Sequence, residues 1–561
     1  MKLLDPRGLL RRSQLTLAAR PARAALPDAA VVFYDNTKMD VGHYGLVFER
    51  IKAGLRHRSI SRFLDLRETI RGKTTEDIDR LAERLASMSE SVPIAAVIGL
   101  ADMGVSPAMV TLSVSLERMG VPTVCLTAGP GAALSRAHAS YRAGSLCLCE
   151  LDLYPGSSRD EVQREADAAV DRIIAMLSSP AAQLAALAEV DHPIDRQPVA
   201  SDGCITIDAT DDGQSLDAVL ERFEELHIGD GLPIVPPSRE RYQAMARYCP
   251  IDHEAILMDA TGPSGTPMRI RDALVACVMA GCTPRYVPIV LTALRAMSRP
   301  RYNLLQAVTT SFGGGHFILA SGPIASEIGM HGGQGCLGPG FRANATIGRA
   351  VNLALSNTCR SVPGFADLAC LSSPTEYSYC MAEGPSPVGW ARINEERFGA
   401  GDTCVMVLKA ESPHSLMDLA STTAASLMET IVDCCTSLGS NNAFVAGALV
   451  LVLNPDHARM LQEGGFDKDG IRRAVHASAR IERSRLPSRG LVAPGNDDAG
   501  TAGFHHVTRS PADVEVVIAG GKGGHSAVIR PWALHSDPVF EAVRLPNGEA
   551  AGSLECFLAQ A

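Results

Sequence analysis

Short apolar runs alternate with helical segments over residues 31–126. The alternation predicts three buried strands with helices between them, at residues 31–36, 94–100 and 121–126. Parallel strands need a crossover between them, so this order predicts an α/β fold with a doubly wound parallel sheet. Ligands of such sheets bind at the carboxyl ends of the strands. Residues 101–107 and 127–131 are therefore the predicted functional edge of this sheet.

The chain has 561 residues, too many for a single hydrophobic core. We expect a first α/β domain at residues 1–178, a linker at 179–215 and a larger α/β region at 216–561, with a sub-boundary near 400–415. In two places an apolar strand runs into a proline turn and then a helix, at Gly322-Pro323 and at Asn454-Pro455. This repetition suggests an internal duplication of an α/β unit.

Hydrophobic spacing predicts further elements along the chain. Helices are expected at residues 159–177, 271–279, 344–356 and 416–434. Strands are expected at residues 317–320, 448–453 and 514–519.

Composition excludes several classes of protein. The formal net charge is −10 and no run of basic residues occurs, which disfavours nucleic acid as a partner. No apolar run reaches the roughly 18 residues of a membrane span, and the start of the chain does not read as a signal peptide. Fifteen cysteines, many of them in apolar patterns, fit reduced thiols better than disulfides. We expect a cytoplasmic protein, with a homo-oligomer as the base-rate expectation.

Two long stretches carry a family resemblance. Residues 33–38 and 102–124 resemble the UGSC family, named for a selenocysteine (or cysteine), glycine, serine, cysteine signature. This chain has Met103, Gly104, Val105 and Ser106 at the signature, so both chalcogen positions are replaced. Residues 216–535 resemble the domain that commonly accompanies UGSC proteins, with matching motifs at 230–237, 281–284, 337–350 and 520–528. The resemblance implies redox chemistry like that of selenoprotein subunits of glycine and proline reductases.

The replaced signature changes what the first domain can do. A thiol at a helix N-terminus is acidified by the helix dipole, which suits a redox pair, whereas methionine cannot ionise. Ser106 remains as a candidate nucleophile or anion-binding hydroxyl. The alternative is that Ser106 only caps the helix that begins near Pro107.

A glycine-rich loop at residues 331–340 is the leading candidate binding site. Glycines such as Gly335 let the backbone approach a ligand closely. Arg342 and Asn344, near the start of the following helix, favour a carboxylate or a phosphate. The alternative is a set of tight turns that only link elements.

Cys336 lies inside this loop rather than in an apolar stripe. The sequence predicts it to be an exposed thiol with a lowered pKa, and therefore a candidate covalent nucleophile. His331 is a nearby candidate base in sequence. The alternative is a small buried cysteine that fills space.

Two further glycine-rich segments carry candidate site residues. Residues 311–316 resemble an oxyanion cradle that ends in His316. Residues 520–526 place Lys522 between glycine pairs, followed by His525 as a candidate acid or base and by Ser526. Each segment could instead be a purely structural turn.

Metal binding and cofactors receive little support. His505 and His506, or His316 and His331, could supply imidazole ligands, but no carboxylate at metal-ligand spacing accompanies them. No metal is predicted, and the sequence leaves the cofactor unknown.

The leading hypothesis is an enzyme of small-molecule metabolism, such as a biosynthetic enzyme, that acts on a small anionic substrate. Lyase- or transferase-like chemistry would use Cys336, His331 or His525 in the C-terminal region, with binding through Arg342, Lys522 and the loop amides. One alternative is a thiol-dependent reductase that uses Cys336 with a second cysteine such as Cys282. The other is a binding or scaffold protein without catalysis.

Overall fold

The computed structural model describes residues 1–40, 42–102, 104–191, 194–195, 197–207, 215–486, 503–532 and 536–560. The chain has an α/β fold. Among these residues, none of the helices combines the length and apolar character needed to cross a lipid bilayer.

The first part of the chain contains a parallel sheet, as predicted, and this sheet has five strands instead of the three that the sequence indicates. Its elements, after the short strand β1 (Lys2–Leu4), are β2 (Ala30–Asp35), α1 (Gly45–Arg56), β3 (Phe63–Arg67), α2 (Thr75–Ser87), β4 (Ile94–Ala101), α3 (Ser106–Arg118), β5 (Thr123–Ala128), α4 (Pro130–Arg142), β6 (Leu148–Leu151), α5 (Arg159–Ser178) and α6 (Ala181–Ala188). The strand order is β3-β2-β4-β5-β6, so the chain reverses direction across the sheet between β2 and β4. Apolar residues of α1 and α5 cover one face, and those of α2 and α3 cover the other.

The rest of the chain forms a larger α/β region. Its elements are β7 (Cys204–Thr206), α7 (Ser215–Glu225), α8 (Arg239–Met245), β8 (Ile256–Thr261), β9 (Thr266–Arg269), α9 (Ile270–Ala280), α10 (Val287–Met297), α11 (Leu304–Ala307), β10 (Gly315–Ser321), α12 (Pro323–Glu327), α13 (Arg342–Ala354), β11 (Cys380–Ala382), α14 (Ile393–Arg397), β12 (Cys404–Ala410), β13 (His414–Met417), α15 (Ala424–Cys435), α16 (Asn441–Phe444), β14 (Leu449–Leu453), α17 (Pro455–Glu463), α18 (Lys468–Ser478), β15 (Arg480–Glu482), β16 (Phe504–His506), β17 (Val514–Ile518), β18 (His525–Ile529), β19 (Val539–Ala542) and α19 (Glu555–Leu558).

Two four-stranded sheets of this region share one strand pattern. Sheet I has the order β11-β10-β12-β19, and sheet II has the order β17-β14-β18-β13. In both, the second strand is parallel to the first and antiparallel to the third, which is antiparallel to the fourth. Strand β10 precedes the turn at Gly322-Pro323, and β14 precedes Asn454-Pro455, so the common pattern agrees with the duplication that the sequence suggests.

The outermost strands of the two sheets are exchanged. Strand β13 follows β12 along the chain but pairs with β18 of sheet II. Strand β19 follows β18 but pairs with β12 of sheet I. Each sheet is therefore completed by a strand from the other half of this region.

The two sheets form the middle layers of a four-layer arrangement. Side chains such as Phe317 and Val517 pack between the sheets. The outer face of sheet I is covered by α9, α10 and α13, and the outer face of sheet II by α15, α17 and α18. Sheet I therefore separates the apolar layer around the helices from the layer between the sheets.

The predicted helix at residues 416–434 is wrong in its first part. Residues up to Met417 form β13, and the helix α15 begins only at Ala424. The Asp418 carboxylate accepts hydrogen bonds from the backbone N–H groups of Ala420 and Ser421, at 3.1 and 2.9 Å. An aspartate that bonds its own following backbone favours a turn over a helix, which the apolar spacing does not reveal.

A buried ionic network built on Asp195 joins distant parts of the chain. Its carboxylate accepts hydrogen bonds from Arg360 Nε and Nη2 at 2.7 and 2.8 Å, from the Tyr141 hydroxyl at 2.5 Å and from Arg7 Nη1 at 3.4 Å. Burial raises the pKa of Asp195, but the charge of Arg360 and the hydrogen bonds outweigh burial, so the pKa is lowered. The network links the N-terminal segment, α4 and the end of the π-helical turn Leu355–Cys359 that follows α13.

His138 on α4 makes the folding stability depend on pH. The ring is fully buried, and neither nitrogen has a hydrogen-bond partner among the described residues. Burial, together with the charge of Arg142, lowers the pKa of His138 well below the usual value. The folded protein therefore keeps the ring neutral, whereas the unfolded chain binds a proton below about pH 6.5, so stability falls as the pH drops.

We expect His138 to remove about 2 kcal/mol of stability between pH 7 and pH 5. Urea unfolding of the wild type and of His138→Leu at both pH values measures this contribution. The variant is expected to lose about 2 kcal/mol less than the wild type over this interval. Equal losses in the two proteins would contradict the assignment.

Candidate functional site

A cavity of about 730 Å³ lies on the outer face of sheet I. Its wall includes apolar residues of α7, the turn that follows α7 and the end of α13. The polar side chains at its surface include His316, Asn352, Asp367, Glu376 and Lys409. The volume is that of a site for a small molecule.

His316 and Lys409 stand side by side in this cavity. They are directly paired in the antiparallel register of β10 and β12, and paired residues point to the same face of a sheet. The Tyr302 hydroxyl is hydrogen-bonded to Nδ1 of His316, which orients the ring. Both His316 and Lys409 are buried, so the fold holds them in place without solvent around them.

Burial shifts the pKa values of the ionisable groups in the cavity. It lowers the pKa of Lys409, although Glu376 and Asp367 act in the opposite direction. It raises the pKa of Glu376 and of Asp367, with Lys409 opposing both shifts. The pKa of His316 lies well below its usual value because of burial and then of the Lys409 charge. Such opposed shifts bring an ammonium and a carboxyl group closer to the pH at which acid–base catalysts work.

The carboxyl group of Glu376 forms only some of its possible hydrogen bonds to the described residues. Its Oε2 accepts a hydrogen bond from the Ser372 hydroxyl, whereas its Oε1 is buried and has no hydrogen-bond partner among the described residues. The Nζ of Lys409 lies 3.9 Å from Oε1. By contrast, the carboxylate of Asp230, also in the wall, is held by Arg349 at 2.7 and 2.8 Å. A carboxylate oxygen and an ammonium are thus available to a molecule in the cavity.

Lys409 and Glu376 are absent from the residues that the sequence singles out, whereas His316 is among them. The signal for Lys409 is a lone lysine in the otherwise apolar strand Cys404–Ala410. Glu376 belongs to a short 3₁₀ turn, Pro374–Glu376, and carries no pattern that would distinguish it from a surface residue.

The predicted glycine-rich loops do meet, but at the other side of sheet I. The N–H of Gly520 donates to the Gly332 carbonyl at 2.9 Å, and the Cβ of Gln334 lies 2.9 Å from the place that a side chain on Gly521 would occupy. Gly335 has a φ of 74° within this turn, a conformation that favours glycine. The two loops therefore form one joint, which contains Gly335 and lies beside Lys522.

Asn344 and His331 maintain the shape of this joint. The Asn344 side chain accepts from His331 N–H at 2.9 Å and donates to the carbonyls of His331 and Cys336 at 2.8 and 2.9 Å. The His331 ring stacks on Phe341, with 3.7 Å between the ring centroids. Both side-chain N–H groups of Asn344 donate to backbone carbonyls, and its oxygen accepts one backbone hydrogen bond and could accept another.

Cys336 is not the exposed, acidified thiol that the sequence predicts. Its residue is buried, and its Sγ lies 3.7 Å from the sulfur of Met381. Burial raises the pKa of the Cys336 thiol, although nearby backbone N–H groups oppose the shift. The loop folds over the cysteine instead of presenting it to solvent.

We expect Cys336 to react slowly with iodoacetamide in the native protein. Cys370 is exposed and is expected to react roughly tenfold faster or more, because alkylation requires an accessible thiolate. Peptide mapping by mass spectrometry after timed labelling measures both rates. Labelling of Cys336 as rapidly as Cys370 would contradict the buried position.

The second cysteine of the reductase hypothesis lies across sheet I. Cys282 belongs to the helix-covered layer with Cys380, whereas Cys336 packs against Met381 between the sheets. Residues 380 and 381 are neighbours on β11 and point to opposite faces. The structure therefore does not bring Cys282 and Cys336 together as a thiol pair.

The remaining predicted residues have separate positions. Arg342 donates two hydrogen bonds to the Gly281 carbonyl, at 3.1 and 2.8 Å. Lys522 and His525 are exposed. Ser106 is fully buried in the first part of the chain, where it begins α3 and its hydroxyl donates to the Asp102 carbonyl at 2.9 Å instead of accepting from a helix N–H. Met103 lies outside the described residues.

Ser526 is paired with a histidine that was not selected from the sequence. Its Oγ lies 2.8 Å from Nδ1 of His457, and Nε2 of His457 lies 2.9 Å from the Asp418 carbonyl oxygen. A carbonyl can only accept, so Nε2 carries the proton and Nδ1 accepts from the Ser526 hydroxyl. The Oγ also accepts from the Asn454 N–H at 3.0 Å, so these bonds tie β18 to the start of α17.

Metal ligands and relatives add no further assignment. Within the described part of the chain, no group of three or more His, Cys, Asp or Glu side chains is arranged to hold a metal ion. Comparison of the chain with protein-family models, with curated proteins and with solved structures finds no match.

Proposed function

We propose that this protein is an enzyme that catalyses proton transfer on a small molecule bound in the cavity of sheet I. The observation that carries the proposal is the pairing of Lys409 with His316 on the cavity surface, opposite the available carboxyl of Glu376. The proposed reaction class is lyase-like and begins with removal of a proton from carbon.

Glu376 is the proposed base and Lys409 the proposed electrostatic partner. Glu376 takes the proton from the carbon next to a carbonyl or carboxyl group, and the electron pair of that C–H bond moves toward the carbonyl oxygen. The ammonium of Lys409 stabilises the negative charge that develops there. His316, kept neutral by its lowered pKa, serves as a hydrogen-bonding group beside it.

The proposed substrate is a small anionic molecule with an acidic C–H bond, such as a 2-oxo or dicarboxylic acid. Among the described residues that line the cavity, Lys409 is the sole lysine or arginine, and it provides the countercharge. The raised pKa of Asp367 favours its neutral form, which reduces the repulsion that an anion would meet. Membership of the UGSC family, a cytoplasmic location and assembly as a homo-oligomer remain parts of the same proposal.

Deuterium exchange tests this proposal without knowledge of the final product. The purified protein is incubated in D₂O with a panel of 2-oxo, 2-hydroxy and dicarboxylic acids, and the loss of each C–H signal is followed by proton NMR. We expect exchange or elimination with at least one compound, and strong loss of this activity in Glu376→Gln. Absence of exchange over the whole panel would contradict proton abstraction and favour the binding-protein alternative.

A further inference from the structure

A second group of buried polar side chains lies at the edge of the parallel sheet. The chain reverses direction between β2 and β4, and the carboxyl ends of these strands lead to Lys38 and Asp102. Such a reversal leaves a crevice at the ends of the strands, where doubly wound sheets bind ligands. This crevice belongs to a different sheet from the cavity of Lys409.

Four side chains of this crevice influence one another. The Nζ of Lys38 donates to Oδ2 of Asp102 at 3.4 Å. Burial lowers the pKa of Arg71, while the charge of Asp102 opposes this shift. Burial and then the Asp102 charge raise the pKa of the Tyr44 hydroxyl. Lys38 is thus paired with the Asp102 carboxylate, and Arg71 interacts with the same charge from a longer distance.

Several buried polar atoms of this group lack a hydrogen-bond partner in the described part of the chain. The Tyr44 hydroxyl, Nε of Arg71 and Oδ1 of Asp102 are buried and have no hydrogen-bond partner among the described residues. Tyr44 is 1% exposed, and Asp102 is 0% exposed. Buried polar groups are normally paired, because an unsatisfied group costs about 1–3 kcal/mol. Two such groups near a carboxylate whose own Oδ1 is also unsatisfied indicate a missing partner.

We propose that this crevice is a binding site for a small oxyanion that carries its own hydroxyl group. Lys38 and Arg71 bring two positive charges to the surroundings of the single Asp102 carboxylate, so one positive charge is left for a phosphate or a carboxylate. Arg71 and the Tyr44 hydroxyl supply donors, and the unused Oδ1 of Asp102 accepts from the hydroxyl of the ligand. Hydrogen phosphate and a 2-hydroxy carboxylate share these features.

The start of α4 contributes to the same place. A side chain on Gly131 would come within 2.7 Å of Asp102 Cα and 2.8 Å of Ser106 Oγ, so the first turn of α4 lies directly against this crevice. A helix of 13 residues has a positive dipole end that favours an anion. The glycine keeps this approach open, because any larger residue would clash with the backbone of Asp102.

Matched pairs of anions distinguish a phosphate ligand from a 2-hydroxy carboxylate ligand and test the role of Asp102. Isothermal titration calorimetry at pH 7.5 and constant ionic strength compares phosphate with sulfate, and glycolate with acetate. Phosphate and glycolate carry a hydroxyl, whereas sulfate and acetate of similar shape do not. We expect saturable binding of phosphate or of glycolate, at least tenfold tighter than that of its partner without a hydroxyl.

Variants link the binding to these residues. Lys38→Met and Arg71→Gln are expected to weaken binding at least tenfold. Tyr44→Phe removes only the hydroxyl group and keeps the ring, and it is also expected to weaken binding. Arg80→Gln changes an exposed arginine on α2 and is the matched control, expected to bind like the wild type. Circular dichroism shows which variants are folded, and Tyr44→Phe remains informative if a charge variant does not fold.

The outcomes separate this site from the proposed active site. Absence of saturable binding of phosphate and of glycolate would overturn the proposal, as would binding that Arg71→Gln leaves unchanged. Equal binding of phosphate and sulfate would overturn the role of Asp102. Lys409→Met is expected to bind the anion as the wild type does; loss of binding in that variant would assign the anion to the cavity of sheet I instead.

Discussion

Replacing Lys409 with methionine is expected to lower the rate of deuterium exchange by at least about 100-fold. The substitution removes the ammonium that stabilises the developing negative charge, while a side chain of similar length fills the space. Folding stability is expected to be maintained, because a buried lysine has a lowered pKa and its charge is costly to bury. The rate is measured by proton NMR in D₂O, and the stability by urea unfolding.

A matched control and a pH profile sharpen this prediction. Lys2→Met removes an exposed lysine and is expected to exchange at the wild-type rate. In the wild type the rate should rise with pH as Glu376 loses its proton and fall as Lys409 loses its proton. The raised pKa of Glu376 and the lowered pKa of Lys409 bring these two limbs closer together than in free side chains. A Lys409→Met variant with the wild-type rate would refute the proposed role.

The second large effect is expected for Asp195→Asn. The substitution keeps the shape of the side chain but leaves Arg360 fully buried without its counter-ion, so that it retains neutral acceptors such as the carbonyls of Leu226 and His227. Removal of one member of a buried ion pair typically costs about 3–5 kcal/mol. We expect a decrease of this size in the free energy of unfolding, measured with urea at pH 7. The cavity around Lys409 is expected to be retained.

An exposed ion pair provides the comparison for Asp195. Asp167→Asn breaks a pair with Arg50 in which both side chains are more than 40% exposed, and it is expected to change the stability far less than Asp195→Asn does, because solvent screens the pair. The double variant Asp195→Asn with Arg360→Met should recover part of the loss, because no uncompensated charge remains. Equal effects of Asp195→Asn and Asp167→Asn would contradict the importance of the buried network.

The pH dependence of the Asp195 effect has a definite sign. The pKa of Asp195 is lower in the folded protein than in the unfolded chain. Its contribution to stability is therefore complete above about pH 4, the unfolded value, and is lost as the pH falls through the folded pKa. The difference between wild type and Asp195→Asn should narrow in acid.

The parallel sheet was predictable where its strands are continuously apolar. Strands β2, β4 and β5 are buried on both faces, and their sequences show this directly. Strand β3 is an edge strand with the half-exposed sequence Phe63–Arg67, so its apolar content is too low to distinguish it from a loop. Strand β6 has only four residues, which is short for a pattern-based prediction.

The candidate site was only partly predictable, because its residues are brought together by pairing across strands. His316 and Lys409 are 93 positions apart and become neighbours only through the register of β10 and β12. Local glycine content drew attention to the loop of Cys336, where the glycines serve the close contact of two chain segments. The local sequence indicates where the backbone is free to turn. It does not reveal which side chains from distant strands become neighbours on one face of a sheet.

The exchange of β13 and β19 determines how fragments of this region would behave. A fragment that ended near residue 412 would lack the strand that borders β12, and the complementary fragment would lack the strand that borders β18. Each would expose an open hydrogen-bonding edge and would tend to recruit a strand from another molecule. The two sheets are therefore expected to fold together as one cooperative unit, because neither half of this region can complete its own sheet.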